Sequence, residues 1–117
     1  MVRRVAAELL GTGLLVTVVV GSGIAAQRLS TDTGLQLLEN SIATALGLGV
    51  LILLLGPVSS AHFNPAVSLA DALLGRPTRT GLTAPQLAAY VSAQTVGAIG
   101  GAVLANSMFA APTVISA

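Results

Sequence analysis

The sequence has 117 residues, 54% of them hydrophobic and 8% charged, and a mean hydropathy of +0.90. Soluble domains usually carry about 25% charged residues, so this composition excludes an ordinary soluble domain and indicates that the bilayer is the solvent. Five arginines, no lysine and a net charge of +1 leave no basic surface for nucleic acid, and the absence of cysteine excludes disulfide scaffolds and thiol catalysis. One crossing needs about 20 residues of helix, so the length allows about three crossings.

The first long apolar run covers residues 5–26 and predicts a transmembrane helix. Because Arg3 and Arg4 precede it, a secretory signal peptide is the alternative interpretation. The run is too long for a signal-peptide core, and the acidic Glu8 near its start is out of place in one. We therefore favour a first membrane span.

Two further runs predict the second and third spans. The second covers residues 37–56 and is expected to end at Gly56-Pro57, because proline lacks an N–H and glycine is flexible. The third covers residues 83–109, with Pro85 in its first turn, where a proline costs no hydrogen bond. Small residues recur every four positions along the third span and predict a packing seam: Ala89, Ala93, Gly97, Gly101 and Ala105.

Residues 57–76, between the second and third spans, predict a re-entrant loop followed by a half-helix. Asn64 fits the N-cap, Pro65 the first helical position and Gly75 the terminating position. About eleven residues at a rise of 1.5 Å give roughly 16 Å, half the hydrocarbon thickness. The half-helix is therefore expected to enter the membrane without crossing it.

The arginines predict the orientation. With three spans, Arg28 falls on one side of the membrane, and Arg3, Arg4, Arg76 and Arg79 fall on the other. The positive-inside rule then places the N-terminus in the cytoplasm and the C-terminus outside, in a cytoplasmic-type cell membrane. The re-entrant segment is expected to enter from the cytoplasmic face.

The loop before the half-helix is the segment that we expect to contact a solute. Non-helical backbone at membrane depth is tolerated only where it is buried in protein or lines a water-filled cavity. The carbonyl groups before the half-helix therefore need protein donors or permeating molecules: Ser60, Ala61, His62 and Phe63. The helix start adds roughly half a positive charge beside the Asn64 amide, which repels cations and protons but not neutral hydrogen-bonding solutes.

Three motifs resemble the major intrinsic proteins, the family of aquaporins and aquaglyceroporins. Residues 62–67 (His-Phe-Asn-Pro-Ala-Val) are similar to the family's re-entrant motif, residues 7–12 to its first-span signature and residues 90–98 to its third. The resemblance covers the whole chain and corresponds to the first half of such a channel. It implies an all-α membrane protein with three transmembrane helices and one re-entrant half-helix, one of two inverted repeats. It also implies passive transport of water or small neutral solutes such as glycerol, with no cofactor.

The resemblance also implies roles for single residues. Asn64, with Pro65 and Ala66 beside it, would donate its side-chain amide to the solute at the pore centre while its carbonyl oxygen caps the half-helix. Glu8 and Gln94 are polar residues inside spans, and they would hydrogen-bond the backbone of the re-entrant loop rather than the solute.

Three other positions carry further expectations. The resemblance gives His62 a supporting or pore-lining role, and the alternative is a neutral histidine whose ring is satisfied by local backbone. No second metal ligand lies near His62 in the sequence, so we expect no metal site there. Leu46 stands where water-specific members have an aromatic residue at the selectivity constriction. This favours glycerol, other small neutral solutes or uncharged metalloid hydroxides over strict water selectivity. Asp71 lies near the unfavourable end of the half-helix dipole and is expected to pair with Arg76 or Arg79.

The second Asn-Pro-Ala loop and the arginine that follows it in the family are absent, so we expect that the chain alone does not line a complete pore. It is a truncated product, or it pairs with a separately encoded second half, or two copies pair in opposite orientations, which the arginine bias opposes. Two functions follow: a channel completed by a second half, within a tetramer by resemblance, or a non-conducting fragment that packs against other channel subunits. An enzyme is disfavoured because no acid–base groups converge, and an ion pore because no ring of charge lines a span.

Overall fold

The computed structural model describes residues 1–110, which form four helices. These are α1 (Val2–Leu29), α2 (Thr33–Ser59), α3 (Pro65–Leu74) and α4 (Ala84–Met108). By length and composition α1, α2 and α4 can each cross a membrane, whereas α3 has ten residues and cannot. No strand occurs among residues 1–110, so the all-α class with three long helices and one half-helix is confirmed.

The helices α1 and α4 pack along a seam of small residues, as the four-residue spacing predicts. A methyl group added at Gly97 would overlap the carbonyl oxygen of Leu9, and one added at Gly101 would overlap that of Gly13. Backbone therefore lies directly against backbone, which is the close approach that small residues allow in membrane proteins. The Thr17 hydroxyl lies 2.7 Å from the Gly13 carbonyl oxygen and 3.2 Å from that of Gly101, which ties the two helices together.

The helix α2 packs against α1 and leaves most of its surface exposed. Asn40 Nδ2 donates to the Val19 carbonyl oxygen at 2.8 Å, and Gly47 faces the Val18 side chain on α1. Within the described residues α2 does not pack against α3 or α4. Its helix–helix packing in the described part of the chain is therefore with α1, and one hydrogen bond, from Tyr90 on α4, reaches its last residue, Ser59.

The predicted end of α2 at Gly56-Pro57 is wrong, because α2 continues through Pro57 to Ser59. A proline in the last helical turn forfeits one hydrogen bond but does not prevent the following residues from bonding. The Ser60 N–H donates to the Gly56 carbonyl oxygen at 2.8 Å, and Ser60 then leaves the helix with a left-handed φ of 71°. The non-helical loop thus begins at Ser60.

The half-helix α3 has the predicted caps, Asn64 before it and Gly75 after it, and α4 begins with Pro85 in its first turn as predicted. Asn64 Oδ1 accepts from the Ala66 N–H at 2.8 Å, and Pro65 is the first helical residue. Thr83 and Gln86 form a reciprocal capping box at the start of α4. α3 packs against α4, so the loop between α2 and α3 lies beside the α1–α4 pair.

Candidate functional site

The buried carboxylate of Glu8 holds the re-entrant loop. Its Oε2 accepts from Ser59 Oγ at 2.6 Å and from the His62 N–H at 3.3 Å. Its Oε1 accepts from the Phe63 N–H at 2.9 Å and from Gln94 Nε2 at 2.8 Å. Four hydrogen bonds compensate the burial of a carboxylate that is 0% exposed. The structure therefore brings Glu8 against the loop backbone.

The amide of Gln94 acts on the loop through side chains, which differs from the predicted contact with loop backbone. Gln94 Nε2 donates to Glu8 and also to Ser68 Oγ at 2.9 Å. Ser68 Oγ lies 2.9 Å from His62 Nδ1. Ser68 Oγ therefore links the Gln94 amide, from which it accepts a hydrogen bond, to the His62 ring. Gln94 thus orients both the carboxylate and the imidazole.

The ring of His62 is surrounded by side chains, so its satisfaction by local backbone alone is wrong. Besides Ser68, it meets the edge of the Tyr90 ring at a centroid distance of 5.3 Å. Its Nε2 lies 4.0 Å from Asp71 Oδ1, and its side chain is 8% exposed. No group of residues suited to hold a metal ion is found among residues 1–110.

The expected pairing of Asp71 with Arg76 or Arg79 is wrong. Asp71 Oδ2 accepts from the Leu82 N–H at 2.9 Å, and its Oδ1 faces His62. Among the residues described, neither arginine has an ion pair or a side-chain hydrogen bond. The segment before α4 folds back onto the end of α3. Its Leu82 N–H therefore occupies the Asp71 carboxylate in place of an arginine side chain.

That fold-back depends on two glycines in direct contact. A methyl group at Gly75 would overlap the Gly81 backbone, and one at Gly81 would overlap the Asp71 carbonyl oxygen. The Thr80 N–H closes the turn by donating to the Gly75 carbonyl oxygen at 3.0 Å. The connection between α3 and α4 is therefore compact, and it places Leu82 beside Asp71.

The ring of Phe63 points into the protein, so only its backbone is available to a solute. The side chain is 5% exposed and lies against Gly11, where a methyl group would overlap the ring. Ser60, Ala61 and Phe63 have left-handed φ values of 71°, 51° and 54°. Such conformations are costly for residues other than glycine and persist where the surroundings impose them, as Glu8 and its partners do here.

In the loop of residues 60–63, the backbone N–H groups and the backbone carbonyl groups differ in their hydrogen bonding. Its N–H groups all donate into the protein: Ser60 to Gly56, Ala61 to Ser59 Oγ at 3.3 Å, and His62 and Phe63 to Glu8. No described residue donates to the carbonyl oxygens of the same four residues, 60–63. One side of the loop is thus bonded to protein, and the other carries free acceptors.

The predicted pore residues around Asn64 lie on the exposed side. Asn64, Pro65 and Ala66 are exposed, and with Asn64 Oδ1 engaged in the cap its Nδ2 has no partner among the described residues. A free amide donor therefore follows the free carbonyls along the chain. Leu46 is 67% exposed on α2, and α2 does not pack against α3, so the structure does not bring Leu46 against the half-helix.

Sequence analysis missed three side chains of the hydrogen-bond network around the loop: Ser59, Ser68 and Tyr90. The Tyr90 hydroxyl, fully buried on α4, donates to the Ser59 carbonyl oxygen at 2.8 Å and accepts from Arg4 Nε at 3.1 Å. The lone tyrosine in an apolar span was the available signal, since a buried phenol needs a hydrogen-bond partner. Isolated serines in helices give no comparable signal.

Long apolar helices, a half-helix and a loop with free acceptors define an integral membrane protein with a polar re-entrant site. The chain belongs to the family described as Major intrinsic protein, whose model matches residues 1–116. This confirms the resemblance inferred from the motifs and places the chain in a family of channels.

The most similar relatives include channels of bacteria, animals and plants. The chain is 56% identical over 112 residues to Aquaglyceroporin AqpS of Rhizobium meliloti (strain 1021), covering 96% of this chain and 46% of that protein. It is 41% identical over 99 residues to Aquaporin-8 of Notomys alexis, covering 85% and 34%. It is 33% identical over 107 residues to the Probable aquaporin NIP7-1 of Arabidopsis thaliana, covering 92% and 36%. The chain thus spans less than half the length of each of these relatives.

Proposed function

We propose that this chain supplies one half of a passive channel for water and small neutral solutes such as glycerol, and that a second half completes the pore. One observation carries the proposal: the loop gives its N–H groups to the protein and leaves the carbonyl oxygens of residues 60–63 free. Unpaired carbonyls are costly at membrane depth, so polar molecules in a pore are their natural partners. The exposed Asn64 amide adds a donor at the end of the same file.

The charge distribution favours neutral solutes. The start of α3 directs its positive dipole end at Asn64, which disfavours cations and protons. Glu8 is buried behind the loop, so its carboxylate does not line the free side. The aliphatic Leu46 in place of an aromatic residue favours glycerol or uncharged metalloid hydroxides over strict water selectivity. The name of the Rhizobium meliloti relative, an aquaglyceroporin, agrees with this selectivity.

The partner that we propose is a second half with its own re-entrant loop. The relatives are more than twice as long as the part that this chain matches, which leaves room for such a half. By family resemblance the completed subunit assembles as a tetramer in the bilayer. We propose that the α1 start and the α3–α4 connection lie in the cytoplasm and the C-terminal end outside, which the arginines of those two segments support through the positive-inside rule. Residues 111–117 at that end lie outside the described residues.

Reconstitution with a complementary half tests the proposal. The chain is placed in proteoliposomes alone and together with the part of the Rhizobium meliloti relative that it does not cover, and water and glycerol entry are followed by stopped-flow light scattering. Permeability above that of empty vesicles is expected only with both halves. If the halves copurify but permeability stays at the empty-vesicle level, the channel proposal is overturned and the chain is a non-conducting interaction subunit.

The variant Asn64→Asp sharpens this experiment. Aspartate keeps the N-cap acceptor but removes the amide donor, so α3 should persist while neutral-solute permeability falls. Unchanged permeability in a conducting pair would remove the role proposed for Asn64.

A further inference from the structure

Arg4, at the start of α1, reaches the buried phenol of Tyr90 on α4. Arg4 Nε donates to the Tyr90 hydroxyl at 3.1 Å, and Arg4 Cζ lies 5.5 Å from the centroid of the Tyr90 ring. The guanidinium thus makes both a charge-assisted hydrogen bond and a cation–π contact. Arg3, the adjacent residue, is exposed and makes neither contact in the part of the chain that the structure describes.

The same phenol holds the last residue of α2. The Tyr90 hydroxyl donates to the Ser59 carbonyl oxygen at 2.8 Å, while Ser59 Oγ donates to Glu8. Since α2 and α4 do not pack against each other in the described chain, this hydrogen bond is their direct link at the membrane end from which the loop departs. It also satisfies a carbonyl of the last helical turn, which has no partner within the helix.

Tyr90 also contacts the loop itself, through its ring. The ring meets the His62 imidazole edge-on and packs with Ala72 and Leu82 at the α3–α4 contact. A shift of the phenol would therefore move both the residue before the loop, Ser59, and a residue within it.

From these contacts we infer that Arg4 is a positioning residue for the free carbonyls of residues 60–63, which it aligns by locking Tyr90 against the end of α2. Arg4 does not touch the solute; it acts through the phenol. The effect on permeation rests on the proposed channel function, whereas the effect on Tyr90 and on the loop backbone does not.

The chain itself reports the contact, because it has one tyrosine and no tryptophan. The tyrosine doublet in the Raman spectrum changes its intensity ratio according to whether the phenol donates, accepts or does both. In micelles, Arg4→Met should lower this ratio toward that of a donor-only phenol, Arg4→Lys should restore it, and Arg3→Met should leave it unchanged. An unchanged ratio in Arg4→Met would overturn the contact whether or not any channel conducts.

Amide hydrogen exchange of residues 60–63 measures the effect on the loop without a channel assay. Faster exchange is expected in Arg4→Met and in Tyr90→Phe, which keeps the ring, and wild-type exchange in Arg3→Met. If Arg4→Met does not fold, Tyr90→Phe still tests the link to Ser59. Two results would overturn the positioning role. One is wild-type exchange of the loop amides in a folded Arg4→Met variant whose Raman ratio has changed. The other is wild-type exchange of the loop amides in Tyr90→Phe.

Permeability of the completed channel is the last measurement. Misalignment of the loop carbonyls should lower permeability in Arg4→Met, with recovery in Arg4→Lys and no change in Arg3→Met. Tyr90→Phe combined with Arg4→Met should be no worse than Tyr90→Phe, because both act through one contact. Wild-type-like permeability of Arg4→Met in a conducting pair contradicts the inference. A wild-type pair that does not conduct contradicts the proposed function alone.

Discussion

Glu8 is a carboxylate inside a membrane span that is held by neutral donors rather than by a cation. Its two oxygens accept from one hydroxyl, two backbone N–H groups and one amide, and no ion pair reaches it in the described chain. Each oxygen faces two donors, so an uncharged acceptor cannot replace it without a mismatch. Glu8 therefore orders the loop by accepting four hydrogen bonds from groups that belong to three separate segments.

Replacing Glu8 with glutamine tests this account. Glu8→Gln would point an NH₂ group at two donors, and loss of these charge-assisted bonds should destabilise the chain by about 2–3 kcal/mol. Reversible unfolding in mixed micelles, followed by circular dichroism, measures the change. Glu39→Gln is the control, since Glu39 on α2 has no described hydrogen bond or ion pair and should change little. An equal change in the free energy of unfolding in the two variants would contradict a stabilising role for the four hydrogen bonds of Glu8.

Sequence reasoning found some residues of the site and missed others for a physical reason. Glu8, Gln94 and Asn64 stand out because polar groups are rare in apolar helices, or because they lie in a recognisable motif. Ser68 and Tyr90 gained their roles only when folding brought separate helices together. Short-range expectations failed where tertiary contacts competed with them, as at Asp71, where the Leu82 N–H replaced the expected arginines.

Among the secondary-structure elements, α1 and α4 form the rigid support of the site. Glu8 lies on α1 and Gln94 and Tyr90 on α4, so their mutual geometry depends on how closely these helices approach. That approach is set by glycines whose Cα atoms lie against the facing backbone. The period of four residues predicted the seam, but not which backbone atoms meet.

Two adjacent glycines of α4 give a matched test of the seam. Gly101→Ala should destabilise the chain by about 1–3 kcal/mol, because the new methyl overlaps the Gly13 carbonyl and backbone cannot move aside as a side chain can. Gly100→Ala should be neutral or stabilising by up to about 1 kcal/mol, since no atom lies within 4 Å of its added methyl. The same micelle unfolding assay compares them. Equal stability of the two variants would contradict the close α1–α4 packing.

At the scale of the whole molecule, the loop N–H groups are hydrogen-bonded to protein, whereas the loop carbonyl oxygens have no protein donor among the described residues. Asn64 and most of α2 are exposed, and the chain matches less than half of each relative. A pore needs walls on all sides, so the proposed second half is the natural cover for the free carbonyls and for part of α2.

The selectivity that we propose would belong to the completed channel. In a conducting pair of halves, Leu46→Phe should reduce glycerol entry more than water entry, because a ring at this position narrows the proposed constriction. Leu54→Phe is the control, since Leu54 has the same 67% exposure on α2 but lies at another angle around the helix. Paired stopped-flow measurements of the two solutes decide the outcome. Equal reduction of both solutes by Leu46→Phe would contradict the proposed selectivity.

The linear sequence was sufficient for the membrane class, the number of long helices, the half-helix with its Asn64 cap and the family, because these depend on hydropathy, local caps and contiguous motifs. Folding alone established that α2 runs on to Ser59, that Asp71 holds Leu82, and that Arg4, Tyr90 and Ser59 meet. The physical reason is distance along the chain: Tyr90 is separated from Arg4 by 86 positions and from Ser59 by 31. Hydrogen bonds of that range depend on helix packing, which no local pattern encodes.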